Sequence, residues 1–214
     1  MFKIAIAGNI ASGKTAVEGF FREKGYDVID TDKIGHEVLN THSAEIIKAF
    51  EGEDISTNGV IDRQKLGSVV FASYHSRKKL ENIVHPVIRQ RLEEYFAANV
   101  DEKVILVAIP LVFEAKMEDL FDKIIFVFAD DETRLERLMA RNNLSQEEAM
   151  RRINSQMSQF MKLEESDYVF HNNGTLENLK NQVDDFCRRM TSNLLPGIVI
   201  RDCADERKGG ANDR

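Results

Sequence analysis

The sequence predicts an α/β fold with a parallel sheet. Apolar runs rich in Val, Ile and Phe alternate along the chain with longer stretches of helical pattern. The runs show little polar alternation, which is typical of strands covered on both faces, and their alternation with helices favours βαβ units. Five runs are expected to form the strands, at Phe2–Ala7, Tyr26–Ile29, Val104–Ile109, Ile124–Ala129 and Tyr168–Phe170.

The segment after the first predicted strand has the spacing of a phosphate-binding loop. Residues 8–15 fit G-x-x-x-x-G-K-[ST], and a helical pattern follows them. Backbone N–H groups of such a loop surround phosphate oxygens, and the helix N-terminus favours an anion. We expect Lys14 to reach nucleotide β- and γ-phosphates and the Thr15 hydroxyl to bind Mg²⁺. The predicted nucleotide-binding residues are Gly8, Asn9, Ile10, Ala11, Ser12, Gly13, Lys14, Thr15 and Ala16.

The second predicted strand leads into two aspartates, Asp30 and Asp32. Ligands bind at the carboxyl ends of the strands of a parallel sheet, so both are expected near the mouth of the loop. A carboxylate there accepts a proton from a substrate hydroxyl, or binds Mg²⁺ through water. The alternative is an aspartate that only caps the next helix.

The stretch from Asp30 to Val100 is too long for one crossover helix. We predict a helical substrate-binding insert at residues 33–99, with residues 1–32 and 100–200 forming the nucleotide-binding core. Pro86 suits the first turn of a helix, and the residue before it, His85, is expected to cap that helix or to contact a substrate phosphate, with capping favoured by spacing alone. Helical patterns in the insert cover Ala44–Phe50, Arg63–Ala72 and His85–Ala98.

Residues 132–165 are predicted to form a helical lid, called the lid segment below. Ser145 and Glu148 have the spacing of a capping box that restarts a helix. Guanidinium groups bind phosphate oxygens in pairs, and a closing lid excludes water. Because eight acidic residues lie between positions 130 and 165, a solvated, salt-bridged face is the alternative. Arg137 and Arg141 are expected to be nucleotide ligands, whereas Arg151 and Arg152 are expected on the solvated face, and Arg134 is assigned no role.

Composition limits the remaining possibilities. The chain has 214 residues and a net charge of −7, which argues against a nucleic-acid surface built on bulk charge. Cys187 and Cys203 are too few for a disulfide framework, so a reducing, cytoplasmic setting is expected. No apolar run approaches the roughly 20 residues of a membrane span. The polar end, residues 201–214, is predicted to be a disordered tail.

The order and spacing of several motifs resemble the dephospho-CoA kinase family from residue 2 to about residue 183. They include the loop of residues 8–15 and the Asp30-Thr31-Asp32 turn. The others are Asn58-Gly59-Val60-Ile61-Asp62-Arg63, Leu80-Glu81-Asn82-Ile83-Val84-His85-Pro86-Val87-Ile88, Ile109-Pro110-Leu111-Val112-Phe113-Glu114, Arg137-Leu138-Met139-Ala140-Arg141 and Asp167-Tyr168-Val169-Phe170-His171-Asn172-Asn173-Gly174.

This resemblance implies transfer of the ATP γ-phosphate to the ribose 3′-hydroxyl of dephospho-CoA, giving coenzyme A. It implies a P-loop NTPase three-layer sandwich with a five-stranded parallel sheet, a helical substrate insert and a lid. Asp32 would be the catalytic base, with Lys14 and Arg141 also catalytic. His85, Pro110 and Leu111 would bind the acceptor. The implied ligands are ATP, Mg²⁺ and dephospho-CoA, for a cytoplasmic monomer or weak oligomer without nucleic-acid or membrane partners.

The chain departs from the family pattern at several positions. Asn9 and Ala11 replace common glycines, and Ala16 replaces a frequent threonine. Ala108 and His171 stand where aspartates are common. Two alternatives remain open at this point. One is a (deoxy)nucleoside or nucleoside monophosphate kinase, and the other is a nucleotide-dependent switch, although the Asn-Lys-x-Asp sequence that GTPase-type switches need is not present.

Overall fold

The computed structural model describes residues 1–192. They form two compact units. Met1–Ile29 and residues 103–192 make up the first, the sheet unit, and Asp30–Glu102 make up the second, the insert. The predicted tail, the last residues of the predicted core and Cys203 lie outside the described residues.

A five-stranded sheet organises the sheet unit, and its strands are β1 (Phe2–Gly8), β2 (Val28–Asp30), β5 (Val104–Ala108), β6 (Lys123–Phe128) and β7 (Tyr168–His171). β1 pairs in parallel with both β5 and β6, and β6 pairs in parallel with β7. The predicted α/β class with a parallel sheet is therefore confirmed. Across the sheet, the strand order is β2-β5-β1-β6-β7.

Helices of the sheet unit follow the strands, as the alternating pattern predicts. Side chains of β1, β6 and β7 form the main core with helices α1 (Lys14–Glu23) and α9 (Leu176–Ser192). Ile4, Phe21 and Phe170 in this core are almost completely buried. Burial raises the pKa of the Cys187 thiol in α9 to about 11, so this cysteine stays protonated near neutral pH. The helices are α1 (Lys14–Glu23), α6 (Asp131–Asn142), α7 (Gln146–Asn154), α8 (Gln159–Glu164) and α9 (Leu176–Ser192), with a 3₁₀ turn at Glu118–Leu120.

The insert contains its own apolar core around Ile46, Phe50 and Leu66. Within residues 1–192, no helix of either unit is long and apolar enough to cross a lipid bilayer. The elements of the insert are α2 (Thr31–Thr41), α3 (Ser43–Ala49), the two-residue strands β3 (Ser56–Thr57) and β4 (Val60–Ile61), α4 (Arg63–Ala72) and α5 (Tyr74–Ala98).

The start of α5 differs from the prediction. The helix begins eleven residues before His85, and the Ser73 side chain caps it by accepting a hydrogen bond from the Ser76 N–H. Pro86 therefore lies inside the helix, where the missing N–H and the ring cost about 3 kcal/mol. Burial of Ile88 and Leu92 on the same helix offsets this cost. The interpretation of His85 as a helix cap is wrong.

Candidate active site

The phosphate-binding loop connects β1 to α1 in the way that its motif requires. β1 ends at Gly8, and α1 begins at Lys14, directly after Gly13. The Ser12 N–H donates to the Asn9 carbonyl at 3.0 Å, which closes the loop on itself. Because the first N–H groups of a helix have no intrahelical acceptor, those of Lys14 and Thr15 are available to an anion at this end of α1.

Both motif glycines are required by close packing. Gly13 has a φ of 100°, and a Cβ built there would lie 2.0 Å from the Asn172 side-chain nitrogen. That nitrogen donates to the Ser12 carbonyl at 2.7 Å from the segment after β7. A Cβ at Gly8 would lie 2.6 Å from the Ser12 hydroxyl oxygen. Asn172 therefore holds the loop through this hydrogen bond. Neither glycine position has space for the methyl group of an alanine.

The middle of the loop packs against the lid segment. Ile10 and Ala11 contact an apolar cluster formed by Leu138, Ala149 and Ile153 of α6 and α7. Ala11 has a φ of 62°, in the left-handed region that costs a non-glycine residue about 1–2 kcal/mol. The substitution of a common glycine by Ala11 thus adds apolar contact with the lid segment at the expense of backbone strain.

Three hydrogen bonds join the same part of the loop to the lid segment. The Asn9 side-chain nitrogen donates to the Met157 carbonyl at 3.0 Å. The Ile10 N–H donates to the Gln156 side-chain oxygen at 2.7 Å. The Arg134 Nε donates to the Ile10 carbonyl at 3.0 Å. Since both backbone polar groups of Ile10 bond to the lid segment, the lid segment fixes the conformation of the loop at this residue.

Arg134 is the lid-segment arginine that is buried against the loop, with only 1% of its surface exposed. Its guanidinium also donates to Asp131 at 2.8 Å, and Gln159 donates to the same carboxylate oxygen. Burial lowers the pKa of the Arg134 guanidinium, although Asp131 opposes this effect. Arg134 still carries a full charge near neutral pH, because arginine ordinarily titrates far above it.

A buried ion pair connects the turn after β5 to α8. The Lys162 Nζ donates to a Glu114 carboxylate oxygen at 2.7 Å, and the Lys162 side chain is fully buried. The Met157 N–H donates to the same oxygen. Burial lowers the pKa of the Lys162 ammonium and the nearby Arg134 charge adds to this, whereas Glu114 opposes it. Removal of either partner would leave a poorly solvated charge behind.

The predicted lid ligands occupy different environments. Arg141 is exposed in the last turn of α6 and donates to the Asn142 side chain at 2.9 Å. Arg137 is half-buried, and its NH1 is buried without a hydrogen-bond partner among the described residues. Arg151 and Arg152 are exposed, and Arg151 lies 3.6 Å from Glu147. The predicted capping box that begins α7 is confirmed by reciprocal bonds between Ser145 and Glu148.

Lys14 is paired within its own helix. Its Nζ donates to the Glu18 carboxylate at 2.7 Å, and Glu18 is buried with 3% of its surface exposed. Thr15, the next residue, is exposed in the first turn. Within residues 1–192, no group of three or more His, Cys, Asp and Glu residues could bind a metal ion. A hydroxyl such as that of Thr15 suits Mg²⁺ that is bound mainly by phosphate oxygens and water.

Pro110 and Leu111 lie at the same edge of the sheet as the phosphate-binding loop. They follow β5, and Ala108 at the end of β5 is in register with Ile6 of β1. The Ile109 N–H donates to the Ile6 carbonyl at 3.0 Å, which ties the start of this turn to the strand that carries the loop. The phosphate-binding loop after β1 and the turn after β5 therefore both lie at the carboxyl ends of neighbouring parallel strands.

Asp30 and Asp32 have different local roles. Asp30 is the N-cap of α2, and its carboxylate accepts a hydrogen bond from the Asp32 N–H at 3.0 Å. The capping alternative therefore applies to Asp30. Asp32 lies in the first turn of α2 with an exposed side chain.

Helices α2 and α5 pack against each other within the insert. A Cβ built at Gly35 would lie 3.8 Å from the Ile88 Cδ1. Arg91 donates to Glu37 at 2.6 Å. His85, one turn before Ile88, is half-buried.

The sequence does not indicate which distant residues contact the loop, although Asn172 belongs to the motif of residues 167–174. Gln156, Met157 and Asn172 reach the loop from segments that lie well over a hundred positions away in sequence. Glu18 could have been found, because it is acidic and stands four residues after the motif lysine, at the spacing of a helical ion pair.

The sequence matches the dephospho-CoA kinase family over residues 2–178. It is 38% identical over 197 residues to a dephospho-CoA kinase of Listeria innocua, covering 89% of this chain and 98% of the relative. A solved structure from Thermus thermophilus has a TM-score of 0.76 at 32% identity, covering 88% of this chain and 97% of that chain. A dephospho-CoA kinase structure from Campylobacter jejuni has a TM-score of 0.68 at 29% identity, covering 90% and 98%.

Proposed function

Because the chain belongs to the dephospho-CoA kinase family, we propose that Lys14, Asp32 and Arg141 carry out its phosphoryl transfer from ATP to dephospho-CoA. The acceptor is the ribose 3′-hydroxyl, and the product is coenzyme A. The observation that supports this reaction is the family match over residues 2–178, because the matched residues include both the loop and the insert. The roles proposed for individual residues are those that the sequence motifs and the family resemblance imply.

Residues 8–16 supply the donor side of the proposed site. The loop backbone and the start of α1 provide N–H groups for the ATP phosphates, and the Lys14 ammonium neutralises the β- and γ-phosphates. The Thr15 hydroxyl would bind the Mg²⁺ that accompanies ATP, which shields negative charge on the transferring group. The hydrogen bonds of the Ile10 backbone groups to the lid segment support a loop shape that exists before ATP arrives.

Asp32 and His85 supply the acceptor side of the proposed site. Gly35 packs beside Ile88, and one turn earlier on each helix the corresponding positions are Asp32 and His85. Contact between α2 and α5 supports a shared role for the two helices in acceptor binding. A carboxylate and an imidazole suit the binding of a ribose hydroxyl and a neighbouring phosphate.

The Asp32 carboxylate accepts the proton of the 3′-hydroxyl as that oxygen bonds to the γ-phosphorus and ADP leaves. Phosphoryl transfer has a loose transition state with little bond formation to the nucleophile, so the carboxylate mainly orients the hydroxyl. An aspartate of ordinary acidity is sufficient for this task. Arg137 and Arg141 would neutralise charge on the phosphates and help to exclude water when the lid segment closes.

A coupled ADP-release assay with a panel of acceptors tests the reaction. We expect dephospho-CoA to stimulate ADP release from ATP and Mg²⁺, whereas pantetheine, nucleosides and nucleoside monophosphates should not. Stimulation by a nucleoside alone would instead favour the nucleoside kinase alternative. No stimulation by any acceptor would overturn the proposal.

The role of Asp32 is tested by comparison with its neighbour Asp30. Asp32→Asn should lower kcat by at least about 10²-fold and leave ATP binding nearly unchanged. Asp30→Asn makes the same chemical change two residues away, and because asparagine caps helices as well as aspartate does, its kcat should stay close to normal. Equal effects of the two substitutions would show that Asp32 has no special part in the chemistry.

Three further features remain predictions. A monomer or weak oligomer is expected, which size-exclusion chromatography with light scattering would measure. Binding of Mg²⁺ with ATP is checked by the dependence of the rate on added magnesium. A cytoplasmic location is expected for an enzyme that uses ATP and has few cysteines.

A further inference from the structure

We propose that Glu18 controls the affinity of the loop for ATP by competing with the phosphates for Lys14, an inference that rests on the proposed nucleotide site. The Lys14 Nζ lies 2.7 Å from the Glu18 carboxylate, and their side chains are only 12% and 4% exposed. Glu18 belongs to the first helix after the loop, so its negative charge lies close to the proposed site of the ATP phosphates.

The ion pair is poorly explained as an ordinary helix-stabilising contact. A lysine in the first turn of a helix lies at the positive end of the helix dipole, where a cation is disfavoured. An i,i+4 pair with the lysine preceding the glutamate is also the weaker of the two orders. A buried carboxylate that neutralises Lys14 is therefore most useful to the protein when no anion occupies the loop.

Glu18 has a second partner that keeps it in place. Arg22 lies one turn further along α1, and its guanidinium nitrogens approach the other Glu18 oxygen at 3.4 and 3.5 Å. Arg22 also donates to the Val28 carbonyl of β2 at 3.1 Å. When Lys14 moves to the ATP phosphates, Arg22 still compensates the Glu18 charge, so the buried carboxylate is not left unpaired.

The direction of the effect follows from the charges. ATP must take the Lys14 ammonium away from Glu18. The remaining carboxylate is neutralised only in part by Arg22, whose guanidinium nitrogens lie at 3.4 and 3.5 Å, and it therefore repels the phosphates across a partly buried site. Glu18→Gln preserves the shape of the side chain and removes its charge. The variant should bind ATP about three- to tenfold more tightly, and its KM for ATP should fall while its KM for dephospho-CoA is unchanged.

Isothermal titration calorimetry with a non-hydrolysable ATP analogue and Mg²⁺ measures this affinity without any acceptor. Glu23→Gln is the matched control, because it removes the same charge from the same helix. Glu23 is exposed and pairs with Lys180, not with Lys14. The dissociation constant of the Glu23→Gln variant for the ATP analogue should stay within about twofold of the parent value at moderate ionic strength.

A thermal-shift measurement separates this role from a purely structural one. Glu18→Gln should have a lower Tm than the parent without nucleotide, because Lys14 and Arg22 lose their partner. It should gain more Tm than the parent when the analogue is added, since ligand stabilisation grows as the dissociation constant falls. If Glu18→Gln lowers the Tm but leaves the nucleotide affinity unchanged or weaker, the proposal is overturned. An equal increase in nucleotide affinity in Glu23→Gln would also overturn it. These readouts need no dephospho-CoA, so they are independent of the acceptor assay.

Discussion

Replacement of Gly13 by alanine should strongly destabilise the protein, for two reasons that can be calculated separately. The φ of 100° places an alanine in the left-handed region, at about 1–2 kcal/mol. The new Cβ would also lie 2.0 Å from the Asn172 amide nitrogen, which must move. Its buried hydrogen bond to the Ser12 carbonyl is then lost, at about 1–3 kcal/mol. The expected decrease in the free energy of unfolding is about 2–5 kcal/mol.

Alanine substitutions at three other glycines of the sheet unit distinguish the effect of backbone strain from that of steric overlap. Gly25 has a φ of 84° with nothing within 4 Å of an added Cβ, so Gly25→Ala should show the strain alone. At Gly8 φ is not positive, but an added Cβ would lie 2.6 Å from the Ser12 hydroxyl oxygen. Gly8→Ala should therefore show the effect of steric overlap alone. Gly19 lies inside α1 with open space, and Gly19→Ala should stabilise by about 0.5–1 kcal/mol.

Urea denaturation and thermal unfolding of the four variants measure these effects. For a chain of this size, the calculated loss in Gly13→Ala corresponds to a Tm decrease of about 4–20 °C. Gly13→Ala is expected to be the least stable of the four variants. If it is no less stable than Gly25→Ala, the close approach of Asn172 to the loop does not constrain Gly13, and the packing argument is refuted.

Other side chains around the loop give further tests. Lys162→Met should lower the free energy of unfolding by about 3 kcal/mol in urea denaturation, because Glu114 loses its buried partner, and adding Glu114→Gln should recover part of that loss. Additive effects of the two substitutions would contradict this. Arg134→Met should raise the KM for ATP several-fold in steady-state assays, whereas Arg151→Met, the same charge change on an exposed face, should leave it unaltered. Ser145→Ala should cost about 1 kcal/mol through loss of the capping box. A change below a few tenths of a kcal/mol would mean that the cap is not needed.

Sequence reasoning predicted the features that depend on neighbouring residues. The strand before the loop, the helix after it and the glycines between them form one continuous segment, so their pattern determines their structure. The capping box at Ser145 and Glu148 is equally local, and it is present. The α/β class with a parallel sheet could be predicted because each buried apolar run, and each helical pattern between the runs, is also a local signal.

Contacts between distant segments could not be predicted in this way. The bond from Ile10 to Gln156 joins positions 146 residues apart, and no local pattern indicates it. Arg134 was one arginine among several until the structure showed which one faces the loop. The start of α5 was misplaced because Pro86 is a strong local signal for a helix start, and the buried face of a long helix outweighed it.

The identity of the transferred group and of its destination is the most direct test of the proposed site. ATP with an isotopic label in its γ-phosphate would be incubated with the protein, Mg²⁺ and dephospho-CoA, and the products separated by chromatography and assigned by phosphorus NMR. The proposed function predicts that the label appears in coenzyme A, on the ribose 3′-oxygen, in an amount equal to the ADP formed. Label recovered only as inorganic phosphate, or on a different hydroxyl, would contradict it.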